Sequence, residues 1–241
     1  MALILNIETS TEVCSVSLAK DGKLILKKED TQGKTHASLL TVFMQEIFKE
    51  TEFAVNQLDA VAVSKGPGSY TGLRIGVSVA KGIAFAAEIP LISISTLQAM
   101  AVGISKNHKK ENNENILFCP MIDARRMEVY SAFYNSNNKL VKEISADIID
   151  DDSYKEYLQK NKLLFFGNGA EKCKATIKSE NAEFNDNIVC SSENMIELSE
   201  KAFQNSNFED IAYFEPFYLK DFIATVPKNK LIPGSHSETK T

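Results

Sequence analysis

V-S-K-G-P-G-S-Y-T-G-L-R-I-G, residues 63–76, is the stretch on which the reading of the whole chain turns. An apolar run (Leu58, Ala60, Val61, Val63) leads into it, and a helical pattern follows over residues 69–87. Strand, glycine turn and helix in that order aim backbone N–H groups and a helix N-terminus at one point, which predicts an anion site. The stretch is not a P-loop, because no Lys-Ser or Lys-Thr pair closes it. It also departs from the dinucleotide fingerprint: Gly66 and Gly68 fit, but Thr71 stands where the last glycine belongs. Within the helix, Gly72, Gly76, Ala80 and Ala84 recur every fourth residue and share one side. A glycine inside a helix costs about 0.8–1.0 kcal/mol relative to alanine, so two at this spacing imply close packing. The stripe packs on the chain's own sheet or docks a partner, and spacing leaves both open.

Working outward, residues 3–7, 13–18 and 23–28 read as three strands, the last two joined by the hairpin turn Asp21-Gly22. Residues 36–49 read as a helix whose apolar positions cover roughly 180° of the wheel, against the stripe of about 100° that one buried face needs. That extra width predicts either burial on two sides or a second contact with another chain. Residues 90–94 form another strand, and Ser95 or Thr96 caps a helix to about residue 104. Residues 105–115 are wholly polar and read as a linker. The order then repeats: strands at 116–122, 127–134 and 139–144, a helix at 151–159, a strand at 163–166 and a helix at 168–177. A last helix starts at Ser191 or Ser192, and residues 227–241 read as a frayed tail. The expected organisation is a lobe at 1–105, a linker at 106–115, a second lobe at 116–226 and the tail.

A duplicated βββαβα unit is the plan of the actin, Hsp70 and sugar-kinase superfamily, an α/β fold of two lobes of ribonuclease H-like type. There the turn between the first two strands of each half holds phosphates. Here those turns are E-T-S-T at 8–11 and D-A-R-R at 123–126, neither with a glycine. Candidate anion or nucleotide contacts are therefore Thr9, Ser10, Thr11, Gly66, Gly68, Ser69, Arg74, Asp123 and Arg125. Arg74 binds a phosphate or partner carboxylate, or stands in a solvated or internal ion pair. Asp123 and Arg125 form a local turn pair or face the cleft between lobes.

Composition limits the rest. The formal net charge of -5 argues against unaided nucleic-acid binding, which needs a basic face. The lysines at 106–110 read as a solvated linker rather than a nucleic-acid contact. No charge-free run of 18 apolar residues predicts a membrane span, and the N-terminus does not read as a signal peptide. The four cysteines lack C-x-x-C spacing and read as reduced thiols of a cytoplasmic protein. The three histidines, His36, His108 and His236, include no pair four apart that could share a metal on one helix face. No G-x-S-x-G occurs, so Ser69 reads as a helix N-cap and His36 as a cap or interface hydrogen-bonding group.

N-I-E-T-S-T at 6–11, S-K-G-P-G-S-Y-T-G-L-R-I-G at 64–76, I-D-A-R-R-M-E-V-Y at 122–130, G-N-G-A at 167–170 and E-P-F-Y-L-K at 215–220 together resemble the TsaB (YeaZ) family. The resemblance runs from the first strand to about residue 222. It implies a cytoplasmic, non-catalytic relative of TsaD, the transferase that makes N6-threonylcarbamoyladenosine beside the anticodon of tRNAs reading codons that begin with A. It implies pairing with TsaD, a homodimer when alone, and TsaE and TsaC as further components. It implies no cofactor for the chain itself, ATP and magnesium used by the assembled complex, and tRNA met only through that complex. Glu8 stands where the family usually has aspartate. The expected interface is His36, Leu39, Leu40, Phe43 and Ile47 on one helix with Gly72, Leu73, Gly76 and Ala80 on the next. The rival readings are an ATP-dependent enzyme of sugar- or acetate-kinase type and a glycoprotease-type metallopeptidase.

Overall fold

The computed structural model describes residues 2–33, 36–108, 115–185 and 190–220. The first lobe opens with β1 (Leu3–Glu8), β2 (Cys14–Lys20) and β3 (Lys23–Asp30). Asp21 and Gly22 take φ of 53° and 70°, the paired left-handed geometry that a two-residue hairpin turn requires. Then come α1 (His36–Thr51), β4 (Ala60–Gly66), α2 (Tyr70–Ala87), β5 (Leu91–Ser95) and α3 (Thr96–His108). The second lobe holds β6 (Ile116–Asp123), β7 (Glu128–Tyr134), β8 (Leu140–Ile148), α4 (Lys155–Leu158), β9 (Lys162–Phe166) and β10 (Ala182–Asn185), and α5 (Ile196–Gln204) follows.

The two sheets repeat one plan. The first has the order β3-β2-β1-β4-β5 and the second β8-β7-β6-β9-β10. In each, the first three strands are antiparallel and the last two join in parallel beside the first strand. β1 and β4 are apolar almost throughout because parallel central strands are covered on both faces. This is the duplicated actin-like fold that the order of elements predicts.

Four expectations need correction. First, α3 continues to His108, so a linker beginning at residue 106 is overrun, and residues 109–114 and the tail beyond 220 lie outside the described residues. Second, the expected helix at 151–159 shrinks to the single turn of α4. Tyr154 takes a left-handed φ of 63°, so a right-handed helix cannot run through it and starts only at Lys155. Third, residues 168–177 keep Ala170, Cys173 and Ile177 buried but form only a three-residue turn at Glu171–Cys173. Bonds from Cys173 N to Ala170 O and from Thr176 N to Cys173 O span three residues, and a single bond from Ile177 N to Cys173 O spans four. The short strand β10 then follows unforeseen.

Fourth, the lobes exchange helices. From the first half, α3 places Leu97, Met100, Ala101 and Ile104 against Ile116, Phe118 and Leu164 of the second sheet. From the second half, α5 and the turn before it bring Met195 and Leu198 onto Ile4, Ala62 and Ile92 of the first sheet. A cut at 105 and 116 therefore does not separate two self-sufficient cores. Ser199 Oγ donates to the buried Asn6 Oδ1 at 2.7 Å, fixing α5 on β1.

Candidate functional site

The glycine block lies where it was expected, and the site it builds is closed from inside. Ser69 is the N-cap of α2 and accepts from Gly72 N at 3.3 Å. The helix ends at Glu88, left-handed at φ 54°, with Ile89 N bonded back to Ala84 O at 3.0 Å. The small stripe of α2 faces the β1–β2 turn. A Cβ built on Gly72 would stand 2.1 Å from Thr9 O, and one on Gly76 2.2 Å from Thr9 Oγ1. Thr9 Oγ1 donates to Gly72 O at 2.8 Å and Ser69 N donates to Ser10 O at 2.6 Å. Helix and turn thus touch along their backbones.

Most of the groups that would cradle a phosphate bond within the chain, although Ser10 Oγ is buried with no hydrogen-bond partner among the described residues. Ser10 N donates to Glu8 Oε1 at 2.7 Å, Thr9 N to Ser64 Oγ at 3.4 Å, and Val13 N to Thr11 Oγ1 at 3.3 Å. Thr9, Ser10 and Thr11 are all buried, as are Gly66 and Glu8, while Gly68 is half-buried and Ser69 exposed. The expectation that Thr9, Ser10 and Thr11 present accessible groups to an anion is therefore corrected: all three are buried, and α2 with the glycine turn before it presses on Thr9 and Ser10. The carboxyl group of Glu8 inside the same turn would repel a phosphate once ionised. These residues do not fit a nucleotide held as a kinase holds one.

Burial raises the pKa of Glu8, and its hydrogen bonds to Ser10 and Ser64 lower it less. The native state then binds a proton more tightly than the unfolded chain. The stabilising contribution of the protonated form is complete below the unfolded value of about 4.5 and is lost as pH rises through the raised native value. Glu8→Gln keeps an acceptor for Ser10 N and removes the charge. It is expected to raise the urea midpoint at neutral pH and to flatten the fall of stability that begins above about pH 4.5; a variant less stable than wild type at pH 7 contradicts this.

Other candidates fall in different places. His36 lies against the turn, its Nε2 2.6 Å from Thr11 O. Arg74 is exposed and donates to Tyr70 Oη at 3.0 Å. Asp123 does not pair with the Arg125 side chain; it accepts from the Arg125 N–H at 3.0 Å and pairs with Lys172. It also borders the cleft, because Asn168 accepts from Asp123 N at 3.0 Å and donates to Glu12 Oε2 at 2.7 Å across the lobes. Glu12, Asn168 and Lys172 were missed, since only the folded chain brings them to one place. Among the described residues no group of three His, Cys, Asp or Glu side chains is arranged to hold a metal ion.

The expected interface divides. Gly72, Leu73, Gly76 and Ala80, with Leu40 and Ile47, are buried inside the first lobe, so these six are core rather than docking surface. The stripe's partner is the chain's own turn. His36, Leu39 and Phe43 remain half-buried at the edge. The outer side of the helix pair carries Val42, exposed at 42%, and Phe85, exposed at 78%, with Ile75, Val79 and Ile83 half-buried. The helical spacing of 75, 79 and 83 was legible, but the glycines drew the reading to the neighbouring side.

Two copies of one sheet plan, with exchanged helices and a closed first turn, define an actin-like protein whose phosphate cradle is filled by its own helix. A sequence model of the TsaD family, described as tRNA N6-adenosine threonylcarbamoyltransferase, matches residues 29–234. The tRNA threonylcarbamoyladenosine biosynthesis protein TsaB of Escherichia coli is 30% identical over 237 residues, covering 96% of this chain and 98% of that protein. TsaB of Haemophilus influenzae is 41% identical over 127 residues, 53% of this chain and 51% of that protein. A solved Pseudomonas aeruginosa protein with similarity to peptidase YEAZ shares the fold at a TM-score of 0.77 and 24% identity, covering 91% of this chain and all 100% of that one. The chain belongs to the TsaB (YeaZ) family.

Proposed function

We propose that this chain is a non-catalytic subunit in the biosynthesis of N6-threonylcarbamoyladenosine in tRNA, and that it binds a TsaD transferase and holds it in its competent state. The observation that carries the reading is the apolar shoulder of α1 and α2. Val42 and Phe85 are exposed on these two helices, and Ile75, Val79 and Ile83 are only half-buried where they pack on the core; exposed apolar side chains beside half-buried ones suit a docking face. The closed β1–β2 turn supports the absence of chemistry and speaks against a sugar- or acetate-kinase, which needs that turn open. The same shoulder serves a homodimer when TsaD is absent. TsaE and TsaC join the assembly, and ATP with magnesium is used there rather than by this chain alone. The location is the cytoplasm; among the described residues no helix is long and apolar enough to cross a membrane.

Gly82 supplies a test that spares the fold. It lies on exposed α2, and a Cβ built there meets nothing within 4 Å. Gly82→Arg adds a charge to the shoulder while removing a helical glycine that costs about 1 kcal/mol. The variant is expected to unfold at a slightly higher temperature than wild type yet to lose at least about tenfold in affinity for TsaD, since a desolvated unpaired charge costs several kcal/mol. Val42→Asp should act in the same direction. Titration calorimetry with purified TsaD reads both; undiminished binding by the two variants removes the shoulder from the interface.

A further inference from the structure

From the N-terminal end of α2, aromatic and cationic side chains lead from the first lobe to the second. Tyr70 at the start of α2 packs against Tyr218, ring centroids 4.9 Å apart. The Arg74 guanidinium stands 5.3 Å from the centre of the Tyr70 ring. Tyr218 belongs to the segment after α5, which returns across the first lobe: Phe217 N donates to Lys65 O at 2.7 Å. Two residues on, Lys220 pairs with Glu128 of β7. Glu128 closes the β6–β7 turn by donating its N–H to Arg125 O at 3.1 Å. Arg125 and Arg126 at the tip of that turn are exposed, and neither forms an ion pair with a described residue.

Two adjacent guanidinium groups with no ion pair among the described residues stand out in a chain whose formal net charge is -5. Arginine forks match phosphate oxygens geometrically. A tyrosine pair beside a third guanidinium offers what an unstacked base needs, a flat aromatic surface and a neighbouring cation. A partner protein's carboxylates would use the arginines but would leave the tyrosine pair without a role. We propose that this strip, from Tyr70, Arg74 and Tyr218 to Arg125 and Arg126, touches RNA directly, with phosphates on the two turn arginines and a base against the tyrosines. The proposal rests on the assembly reading above and adds that the tRNA is held partly by this subunit. Arg125 and Arg126 lie between β6 and β7 on the second lobe rather than on α1 or α2.

The test uses the complex reconstituted with TsaD and a labelled tRNA, titrated from about 50 to about 200 mM salt, with docking followed by the mass of the eluting species. The double variant Arg125→Gln/Arg126→Gln is expected to weaken tRNA binding about tenfold. It should also reduce the slope of log affinity against log salt by roughly 1.4–1.8, the share of two phosphate contacts. Arg125→Lys/Arg126→Lys should restore most of that slope. Tyr218→Ala should weaken binding about fivefold or more with the slope unchanged. Unaltered affinity and slope in the glutamine pair, with docking intact, overturns the proposal. So does a pair that loses Mg-ATP binding but keeps tRNA, which would assign the arginines to a free nucleotide. Failure of the wild-type chain to dock TsaD sinks the assembly reading instead, and the same titration on the chain alone then decides the RNA contact.

Discussion

Gly72→Val is expected to destabilise the protein by about 3 kcal/mol or more, the upper end of what overpacking a tight contact costs. The Cβ would be 2.1 Å from Thr9 O, a backbone atom that cannot swing aside as a side-chain tip can. Thr9 is itself pinned through its N–H to Ser64 and through Oγ1 to Gly72 O. Relief requires α2 to lift from the turn, which breaks the bond from Ser69 N to Ser10 O and opens the core beneath Val77 and Ala80. The small gain in helix propensity on leaving glycine, about 1 kcal/mol at most, does not offset this. Urea unfolding followed by circular dichroism measures it. A midpoint equal to wild type would mean that α2 does not press on the turn, and the closed cradle would have to be abandoned. Gly76→Leu is expected to fail in the same way, so loss of TsaD binding in that variant would report unfolding and not a docking contact.

Phe165→Ala carries the second large effect. Phe165 on β9 is fully buried. Its ring stacks with Phe184 at 5.0 Å and with Tyr154 at 5.9 Å between centroids. Around it stand Cys119, Phe133, Leu158 and Leu163. Truncating a buried phenylalanine removes its transfer free energy and leaves a cavity, a loss of about 3–5 kcal/mol. For a chain of this length that lowers the melting temperature by on the order of 10 °C. Because the second lobe shares a core with α3, the loss should spread to both lobes in one transition. Two separate transitions by calorimetry would show that the exchanged helices do not couple the lobes.

The difference between these two positions shows where sequence reasoning works. Ser69 as N-cap, the Asp21-Gly22 hairpin turn and the start of α2 were readable because each depends on contacts within four residues. The duplicated sheet was readable from the order of elements alone. In the second half the helical pattern misled. Residues 151–159 have the apolar spacing of a helix, but Tyr154 is left-handed at φ 63°, which leaves a single turn after it. Residues 168–177 bury the predicted side chains through three-residue turns instead. The strip from Tyr70 to Arg126 was only half visible, since Tyr218 and Lys220 come to it from the far end of the described chain.

Periodicity established that Gly72, Gly76, Ala80 and Ala84 share a side and that α1 is apolar over more than one face. It could not say what lies against that side, because the answer is Thr9, separated from Gly72 by 63 positions. The same limit hid the exchange of α3 and α5 between lobes. Local spacing follows from helix and strand geometry, which every residue carries with it. Which surfaces meet follows from the packing of the whole chain: it turned the glycine stripe inward onto the first turn and left Val42, Ile75 and Val79 on the outer side.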